Sequence, residues 1–436
     1  MIALTRRRTE LGLIVLGSLL IAATYVLAAL GRTATLPANI APFLAAVLGL
    51  LLLAHLATRR FAPGADGLLL PLAALLNGIG YVFIARLDEA SRDPDGLAAL
   101  QAVWTAMGIG AFVATLVVVR RARDLRSYKY MAMVAGVGLL MLPLAPIIGR
   151  SINGARIWVE IGPVGFQPGE FAKIALAVFF AGYLADNREL LGLSALHPKY
   201  LGPVIVAWGA SLMVMFFQKD LGSSLLFFAL FVVLLWVATG RGVYLLLGLA
   251  MFVGGATLAH SQFAHVQDRV DTWLNPWPEY RFAGNQVLES WFALADGGIT
   301  GSGLGLGSPQ RIPVVETDFI FAAIGEELGL FGGTAVIIAY VLMIGLGLRI
   351  AIAAEDPFEK LLATGLTTLL GLQAFLIMAG VTRLLPLTGV TLPFVSYGGS
   401  SLLGNYILLA LLIRISHDTA VRRGEVEGRQ GRGTTT

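Results

Sequence analysis

The chain contains no cysteine, which excludes several kinds of chemistry from the outset. Disulfide bonds, thiol nucleophiles and thiolate metal sites all require a cysteine sulfur, so none of them can occur here. Histidine is scarce as well, since the 436 residues include five histidines, and none lies in the H-E-x-x-H spacing of a zinc protease. The sequence therefore indicates neither thiol chemistry nor a histidine-rich zinc site.

Charged residues are also few. Asp, Glu, Lys and Arg make up 13% of the chain, hydrophobic residues make up 57%, and the mean hydropathy is +0.78. A soluble domain typically carries about 25% charged residues, because its surface has to face water. Apolar runs of about 20 residues recur throughout, and they are continuous rather than alternating in polarity as the strands of a barrel are. We therefore predict an all-α polytopic membrane protein.

Twelve membrane-spanning helices are expected from the apolar runs. They lie at about residues 11–30, 39–57, 67–86, 100–119, 129–149, 172–186, 201–217, 220–239, 242–261, 319–348, 359–380 and 398–416. The sixth could begin earlier, with Pro168 in its first turn. The tenth is too long for one straight crossing, since about 30 residues at 1.5 Å each exceed a ~30 Å hydrocarbon core. We expect that helix to tilt, or to break near Gly325 or the Gly332–Gly333 pair.

The basic residues predict the orientation of the chain. Most of the 31 Lys and Arg residues fall in short loops and tails that are cytoplasmic if the N-terminus is cytoplasmic. Both termini would then lie inside, with residues 1–10 as a tail, 11–417 as one transmembrane domain and 262–318 as a large extracytoplasmic loop. Residues 418–436 lack apolar periodicity and predict a disordered cytoplasmic tail. Because the positive charge lies in loops between spans, we do not expect nucleic-acid binding.

Polar residues at membrane boundaries are functional candidates, because burying them there is costly. Glu170 and Lys173 are three positions apart, so on a helix they share a face and can pair. Together with Arg156 they could line a site for a phosphate or pyrophosphate group. The alternative is a salt bridge that only lets a helix end tolerate two charges.

Two further clusters allow a structural and a functional interpretation. Asp220 follows Lys219 at the start of the eighth run, and its carboxylate could cap that helix, belong to a site, or do both. The glycine-rich run at 297–307 lacks the GK[ST] ending of a nucleotide loop, so we discount nucleotide binding. That run is either a flexible turn or a backbone that approaches a sugar or phosphate closely.

The last two clusters lie where the chain enters the tenth and twelfth apolar runs. Asp318 precedes the tenth run, and Glu326 and Glu327 lie within it, where two acids need partners. Ser396 and Tyr397 precede a glycine pair, which implies irregular backbone at the membrane surface. Such backbone is tolerated only where protein or a polar cavity satisfies it.

Taken together, these clusters resemble the SEDS family of cell-wall proteins, to which RodA and FtsW belong. The matching segments are GFQPGEFAK, QKDLGSSL, TDFIFAAIGEELG and LPFVSYGGSS, in the order of the family, within about residues 67–416. The resemblance implies a ten-helix core preceded by two additional helices. Two positions depart from the family pattern, because Lys219 replaces a usual proline and Gly169 a usual serine. The QKDLGSS form and the short tail favour the RodA-like branch.

The resemblance also implies a function. Members of the family polymerise lipid II into glycan strands at the outer face of the bacterial cytoplasmic membrane and release undecaprenyl pyrophosphate. They work with a class B penicillin-binding protein, a transpeptidase that cross-links the strands. Asp318 matches the essential carboxylate of the family. We expect the substrate to be bound by Arg156, Glu170, Lys173, Lys219, Asp220, Glu326, Ser396 and Tyr397.

The hypothesis is that Asp318 acts as a general base on an acceptor sugar hydroxyl, with Arg156, Lys173 and Lys219 stabilising the pyrophosphate leaving group. A divalent cation, Mg²⁺ or Mn²⁺, could share that task with Asp318 or Asp220 as an oxygen ligand. The sequence does not separate a base from a metal ligand.

Alternatives come from other functional classes. A flippase for the lipid precursor would suit Glu326 and Glu327, although the polar clusters lie on one side and no inverted repeat is visible. An FtsW-like division paralogue is a second alternative. A third is a non-catalytic scaffold that binds a partner's helix through glycine-rich faces and recruits a cell-wall synthase.

Overall fold

The computed structural model describes residues 2–36, 40–90, 96–152, 155–162, 164–188, 198–278 and 283–433, and most of these are helical. The helices in chain order are α1 Ile2–Thr33, α2 Ile40–Phe61, α3 Leu69–Ala90, α4 Leu97–Val118, α5 Lys129–Met141, α6 Gly169–Asp186, α7 Pro198–Gln218, α8 Leu221–Thr239, α9 Val243–Gln262, α10 Ala264–Leu274, α11 Ala283–Gly297, α12 Ile320–Ala353, α13 Pro357–Val381 and α14 Gly399–Gly433. Short 3₁₀ turns lie at Ala122–Tyr128, Leu142–Leu144 and Pro309–Arg311.

The prediction of an all-α polytopic membrane protein is confirmed. Within the described ranges, ten helices are long and apolar enough to cross a membrane. The other two predicted spans correspond to α6, which carries several charges, and to α7, whose apolar part is Gly202–Gln218. Each of the twelve apolar runs therefore falls on a helix. The fifth run, predicted to reach residue 149, stops being helical at Leu144.

A small antiparallel sheet interrupts the helical pattern between α5 and α6. Strands β1 Gly149–Ile152, β2 Ala155–Ile161 and β3 Val164–Phe166 pair in chain order. The apolar runs leave this segment between two predicted spans and predict no strand in it. Two of the three strands have only four and three residues, too few to show an alternating pattern, and the ladder forms because the segment folds back on itself.

Both chain ends are helical in their described parts. Helix α1 begins at Ile2, so the described part of the expected N-terminal tail is helical. Its Glu10 is fully buried, and the carboxylate bonds the His55 ring nitrogen at 2.9 Å and pairs with Arg59, both on α2. These buried contacts fix the first turns of α1 against α2.

Helix α14 continues to Gly433, through the described part of the segment that the composition predicts to be a disordered tail. The Asp418 carboxylate accepts a hydrogen bond of 2.7 Å from the backbone of the 3₁₀ turn before α5. Arg422 pairs with Glu359, a fully buried carboxylate on α13. These partners are distant in sequence, so composition alone does not reveal them. The last three residues lie outside the described ranges.

The core of the bundle is formed by α3, α6, α13 and α14, together with the buried faces of α8 and α12. Helices α13 and α14 are the most enclosed of the candidate spans, whereas α9 is exposed along most of its length. The enclosed helices pack through large buried side chains, among them Phe179, Phe227, Tyr340, Phe358 and Tyr406. The segments between α9 and α12 and between α13 and α14 lie at the same end of this core, and they carry most of the candidate site.

Helix α12 is broken at Gly329, whose φ of 64° and ψ of −162° are not helical. The Gly-rich loop, residues 297–307, fills the break. Leu330 N donates to Gly298 O at 3.0 Å, and Ser302 N donates to Glu326 O at 2.9 Å. A predicted break is thus confirmed, but it lies between the two predicted positions. Several glycines permit a kink here, and the loop contacts select the one that bends.

Replacing Gly329 with alanine should destabilise the protein, because a side chain at that φ and ψ is strained by roughly 1–3 kcal/mol. The added methyl group would also collide with the backbone of Ile299 and Gly301. Gly345→Ala is the matched control, since Gly345 lies in regular α12 helix with open space around it. Thermal unfolding of the detergent-solubilised variants measures the difference. Equal unfolding temperatures would show that the break is not a structural requirement.

Candidate active site

Asp318 lies in the turn that leads into α12, and the segment between α13 and α14 holds that turn in place. Ser396 Oγ donates to the Thr317 carbonyl oxygen at 2.5 Å, and Tyr397 N donates to the Glu316 carbonyl oxygen at 2.8 Å. Ser396 is itself buried and accepts a hydrogen bond from the Leu392 backbone. The structure thus brings together Asp318 and the predicted Ser396 and Tyr397, and their hydrogen bonds make the last two positioning residues for the turn.

The surroundings of Asp318 raise the pKa of its carboxyl group. Burial raises the pKa of Asp318 to about 6, against the opposing effects of a hydrogen bond from Thr317 and the positive charge of Arg269. A carboxylate with that pKa is largely ionised at neutral pH, yet it is a stronger base than an ordinary aspartate. Both properties suit a general base.

Arg269 on α10 couples the two aspartates of the site. Its Nη1 donates to the Leu387 carbonyl oxygen at 2.9 Å, and its charge favours the ionised forms of both Asp220 and Asp318. No sequence pattern distinguishes Arg269 from the other arginines between residues 262 and 318. Its position in an amphipathic helix beside a tryptophan gave no signal that distinguishes a site residue from a surface one.

The predicted pairing of Glu170 and Lys173 is confirmed. Lys173 Nζ donates to the Glu170 carboxylate at 2.9 Å and to Gln373 Oε1 at 2.9 Å, and all three side chains are buried. Gln373 Nε2 in turn donates to the Thr391 carbonyl oxygen at 2.9 Å. This network links α6 to α13 and to the segment that positions Asp318. Gln373 was not anticipated, since an uncharged side chain in an apolar run has many uses.

Asp220 combines the two roles that the sequence left open. Its Oδ1 accepts a hydrogen bond of 3.0 Å from Ser223 N and so caps α8. Burial raises the pKa of Asp220, while the Ser223 hydrogen bonds and the charges of Lys173 and Arg269 act in the opposite direction. The cap therefore lies within the electrostatic reach of both cations.

Lys219 is exposed beside Asp220, and its backbone φ is 59°. The positive charge of Lys219 also acts on α10. The pKa of His265 on that helix is lowered mainly by burial, and the charges of Lys219 and Arg269 lower it further. Lys219 thus faces the rim of the cluster, where an anionic group could approach from solvent.

Two predicted substrate-binding residues have their bonds elsewhere. Arg156 lies on β2, and its Nη2 donates to the Ala145 carbonyl oxygen at 3.1 Å. Glu326 accepts a hydrogen bond of 2.6 Å from Ser308 N in the segment after the Gly-rich loop. Its neighbour Glu327 pairs with Arg86 on α3 at 2.6 Å. The expectation that the two acids need partners is confirmed. The partners are a backbone N–H and the guanidinium of an arginine.

The described residues do not offer a ligand set for a metal ion. No group of three or more Asp, Glu or His side chains within those ranges is arranged to hold one. The two carboxylates that could have served, Asp220 and Asp318, are coupled to the Arg269 guanidinium instead. Among the described residues, the carboxylates of the site are therefore balanced by an arginine and are not grouped as metal ligands.

Most of the chain matches a known protein family. The model of the FtsW, RodA and SpoVE family, described as a cell cycle protein, matches residues 67–421. The chain belongs to this family. The resemblance stated from the four motifs is thereby confirmed, and α1 and α2 lie outside the matched residues.

Curated relatives and solved structures agree with that assignment. The peptidoglycan glycosyltransferase RodA of Mycobacterium tuberculosis (strain H37Rv) is 44% identical over 426 residues, covering 95% of this chain and 91% of the relative. The probable peptidoglycan glycosyltransferase FtsW of Geobacter sp. (strain M18) is 35% identical, covering 82% and 98%. A chain from a structure on the coordination of polymerization and crosslinking by a peptidoglycan synthase complex has a TM-score of 0.65 at 25% identity, covering 81% and 98%. The crystal structure of Thermus thermophilus RodA has a TM-score of 0.58 at 27% identity, covering 81% and 97%.

Removing the charge of Arg269 should raise the pKa of Asp318, because that charge favours the ionised carboxylate. If Asp318 must be ionised to act, Arg269→Gln should move the acid limb of the pH–activity profile upward from about 6. Arg269→Lys keeps the charge and should leave that limb closer to the wild-type position. An identical acid limb in all three proteins would contradict the coupling.

Proposed function

We propose that this protein is a RodA-type peptidoglycan glycosyltransferase that polymerises lipid II into glycan strands for cell elongation and shape. Reaction at the outer face of the cytoplasmic membrane would release undecaprenyl pyrophosphate. Membership of the family and 44–46% identity to mycobacterial proteins named as peptidoglycan glycosyltransferase RodA support the activity. The observation that carries the mechanism is the half-buried Asp318 carboxylate, which is held in place by its turn and has a pKa of about 6.

In the proposed reaction, Asp318 accepts the proton of an acceptor sugar hydroxyl as that oxygen attacks the anomeric carbon of the lipid-linked donor. A new glycosidic bond forms, and the bond between the anomeric carbon and the pyrophosphate oxygen breaks. The pyrophosphate leaves with the electron pair. General-base assistance of this kind typically contributes about 10²–10⁴-fold in rate.

The cations around Asp318 would stabilise the charge that develops on the leaving group. Arg269 is half-buried beside the carboxylate, and Lys219 is exposed at the rim of the cluster. Lys173 is buried and bonded to Glu170 and Gln373, so its contribution is a fixed positive potential rather than a mobile contact. Arg156 would contact the leaving group only if substrate binding breaks its hydrogen bond to the Ala145 carbonyl oxygen.

The proposed orientation is supported by contacts between helix ends and by the distribution of basic residues. Glu10 near the start of α1 pairs with Arg59 near the end of α2, and Arg414 on α14 donates to the Phe61 carbonyl oxygen. These contacts place the beginning of α1 and the second half of α14 at one end of the bundle, opposite Asp318. The basic residues there support a cytoplasmic location for both termini. Asp318 would then face the outer side.

A class B penicillin-binding protein is the proposed partner. A structure of a peptidoglycan synthase complex that coordinates polymerization and crosslinking contains a chain of the same fold. The flippase alternative has lost its main support, because Glu326 and Glu327 are bonded to the Gly-rich region and Arg86 instead of lining a path.

Replacing Asp318 with asparagine removes the proton acceptor while keeping the size of the side chain. Polymerisation of purified lipid II by the detergent-solubilised protein should fall by about 10²–10⁴-fold, with and without the cognate transpeptidase. Asp271→Asn is the matched control, because Asp271 is an exposed carboxylate on α10 in the same extracytoplasmic region, and it should polymerise at the wild-type rate.

The control variant and a transport assay distinguish the alternatives. Near-normal strand synthesis by Asp318→Asn would reject its assignment as the base. If the wild type makes no strands even with its partner, but moves labelled lipid II across liposomes, the flippase interpretation replaces the enzyme.

A further inference from the structure

The segment that leads to Asp318 is anchored to α12 by two buried acids. Glu327 Oε2 accepts a hydrogen bond of 2.9 Å from Gly305 N, and Glu326 Oε1 accepts one of 2.6 Å from Ser308 N. Both acids lie on the turn of α12 just before its break. The Gly-rich loop therefore cannot move without breaking charge-assisted hydrogen bonds, which are stronger than neutral ones.

Arg86 on α3 closes the same network from the opposite side. Its guanidinium is almost fully buried, and its Nε faces the Glu327 carboxylate at 2.6 Å. Its Nη2 donates to the Gly307 carbonyl oxygen at 2.7 Å, and its Nη1 donates to Gln310 Oε1 at 3.2 Å. The planar fork of one arginine thus ties the helix, the loop and the following 3₁₀ turn together.

Helix α1 forms the third wall of this network. The backbone of Gly31 lies so close to the Leu304 carbonyl oxygen that a methyl group on Gly31 would overlap it. One turn earlier, the Ala28 carbonyl oxygen approaches Gly305 just as closely. Arg32 fixes this end of α1 to α3 by pairing with Glu89 at 3.3 Å. Glycine at position 31 is therefore required for contact between the helix and the loop.

This contact belongs to the part of the chain that the family model does not match. That match begins at residue 67, whereas the contact uses the last turns of α1. The loop leads through the 3₁₀ turn at Pro309–Arg311 into the turn at Val314, whose carbonyl accepts a hydrogen bond from Asp318 N. The position of α1 is thus transmitted to Asp318 through fewer than twenty residues of well-anchored chain.

We propose that α1 is a positioning element for the polymerisation reaction, acting through the close contact of Gly31 with the Gly-rich loop. The contact holds the loop in the position in which its backbone bonds to Glu326 and Glu327. The loop in turn fixes the turn that carries Asp318. This inference rests on the proposed function, because it assigns α1 a role in that reaction. Displacement of a catalytic group by about 1 Å can cost 10²-fold in rate, so a small shift of the loop has a measurable effect.

Gly31→Ala tests the proposal, with Gly12→Ala as the matched control on the same helix. Both changes improve helix propensity, but a methyl group at Gly12 meets open space. Gly31→Ala should lower kcat for lipid II polymerisation roughly tenfold or more, with little change in KM. Loosening the loop should also hydrate Asp318, which lowers its pKa. The acid limb of the pH profile should therefore move below about 6.

The possible outcomes separate this proposal from the function on which it rests. If Gly31→Ala matches Gly12→Ala in rate and pH profile, α1 has no positioning role although the enzyme assignment stands. A lower rate with an unmoved acid limb means fewer folded molecules, and it also overturns the proposal. If the wild type makes no polymer, the proposed function fails. Hydrogen exchange at the amides of Ser302, Gly305 and Ser308 then decides, and unchanged exchange in Gly31→Ala shows that α1 does not hold the loop.

Discussion

Within a bilayer, a backbone N–H or C=O that leaves its helix has to find another partner inside the protein, because lipid offers none. The break of α12 at Gly329 shows how this chain satisfies that requirement. The Gly-rich loop folds into the gap, and its backbone exchanges hydrogen bonds with the two turns on either side. Glu326 and Glu327 then fix the loop through its own amides, which is a better use of buried acids than leaving them unpaired.

The candidate active site is built on that arrangement. The turn bearing Asp318 lies between the anchored loop and α12, and the segment before α14 supports it through Ser396 and Tyr397. A carboxylate held in this way is partly withdrawn from water, and its raised pKa follows from that withdrawal. Without a nearby cation, the same burial would favour the protonated carboxyl group, which cannot act as a base. Arg269 supplies that cation from a separate helix.

The charged side chains around Asp318 have different roles. Lys173 is bonded on two sides and contributes potential without moving, whereas Lys219 is exposed and available to a ligand. Asp220 caps a helix and is coupled to Lys173 and Arg269. The proposed reaction needs such a division, because the pyrophosphate leaves while the proposed base has to stay in one place.

The sequence by itself determined the membrane class, the twelve helical runs and the pairing of Glu170 with Lys173. Apolar length and helical periodicity are local properties, so they can be read without a fold. Tertiary structure alone decided the strands around Arg156, the coupling of Arg269 to Asp318 and the contact of Arg422 near the C-terminus with Glu359. It also decided which backbone amide bonds to Glu326. Each of these depends on partners far away in the chain, and no local pattern records which distant residue a polar group will meet once the helices have packed.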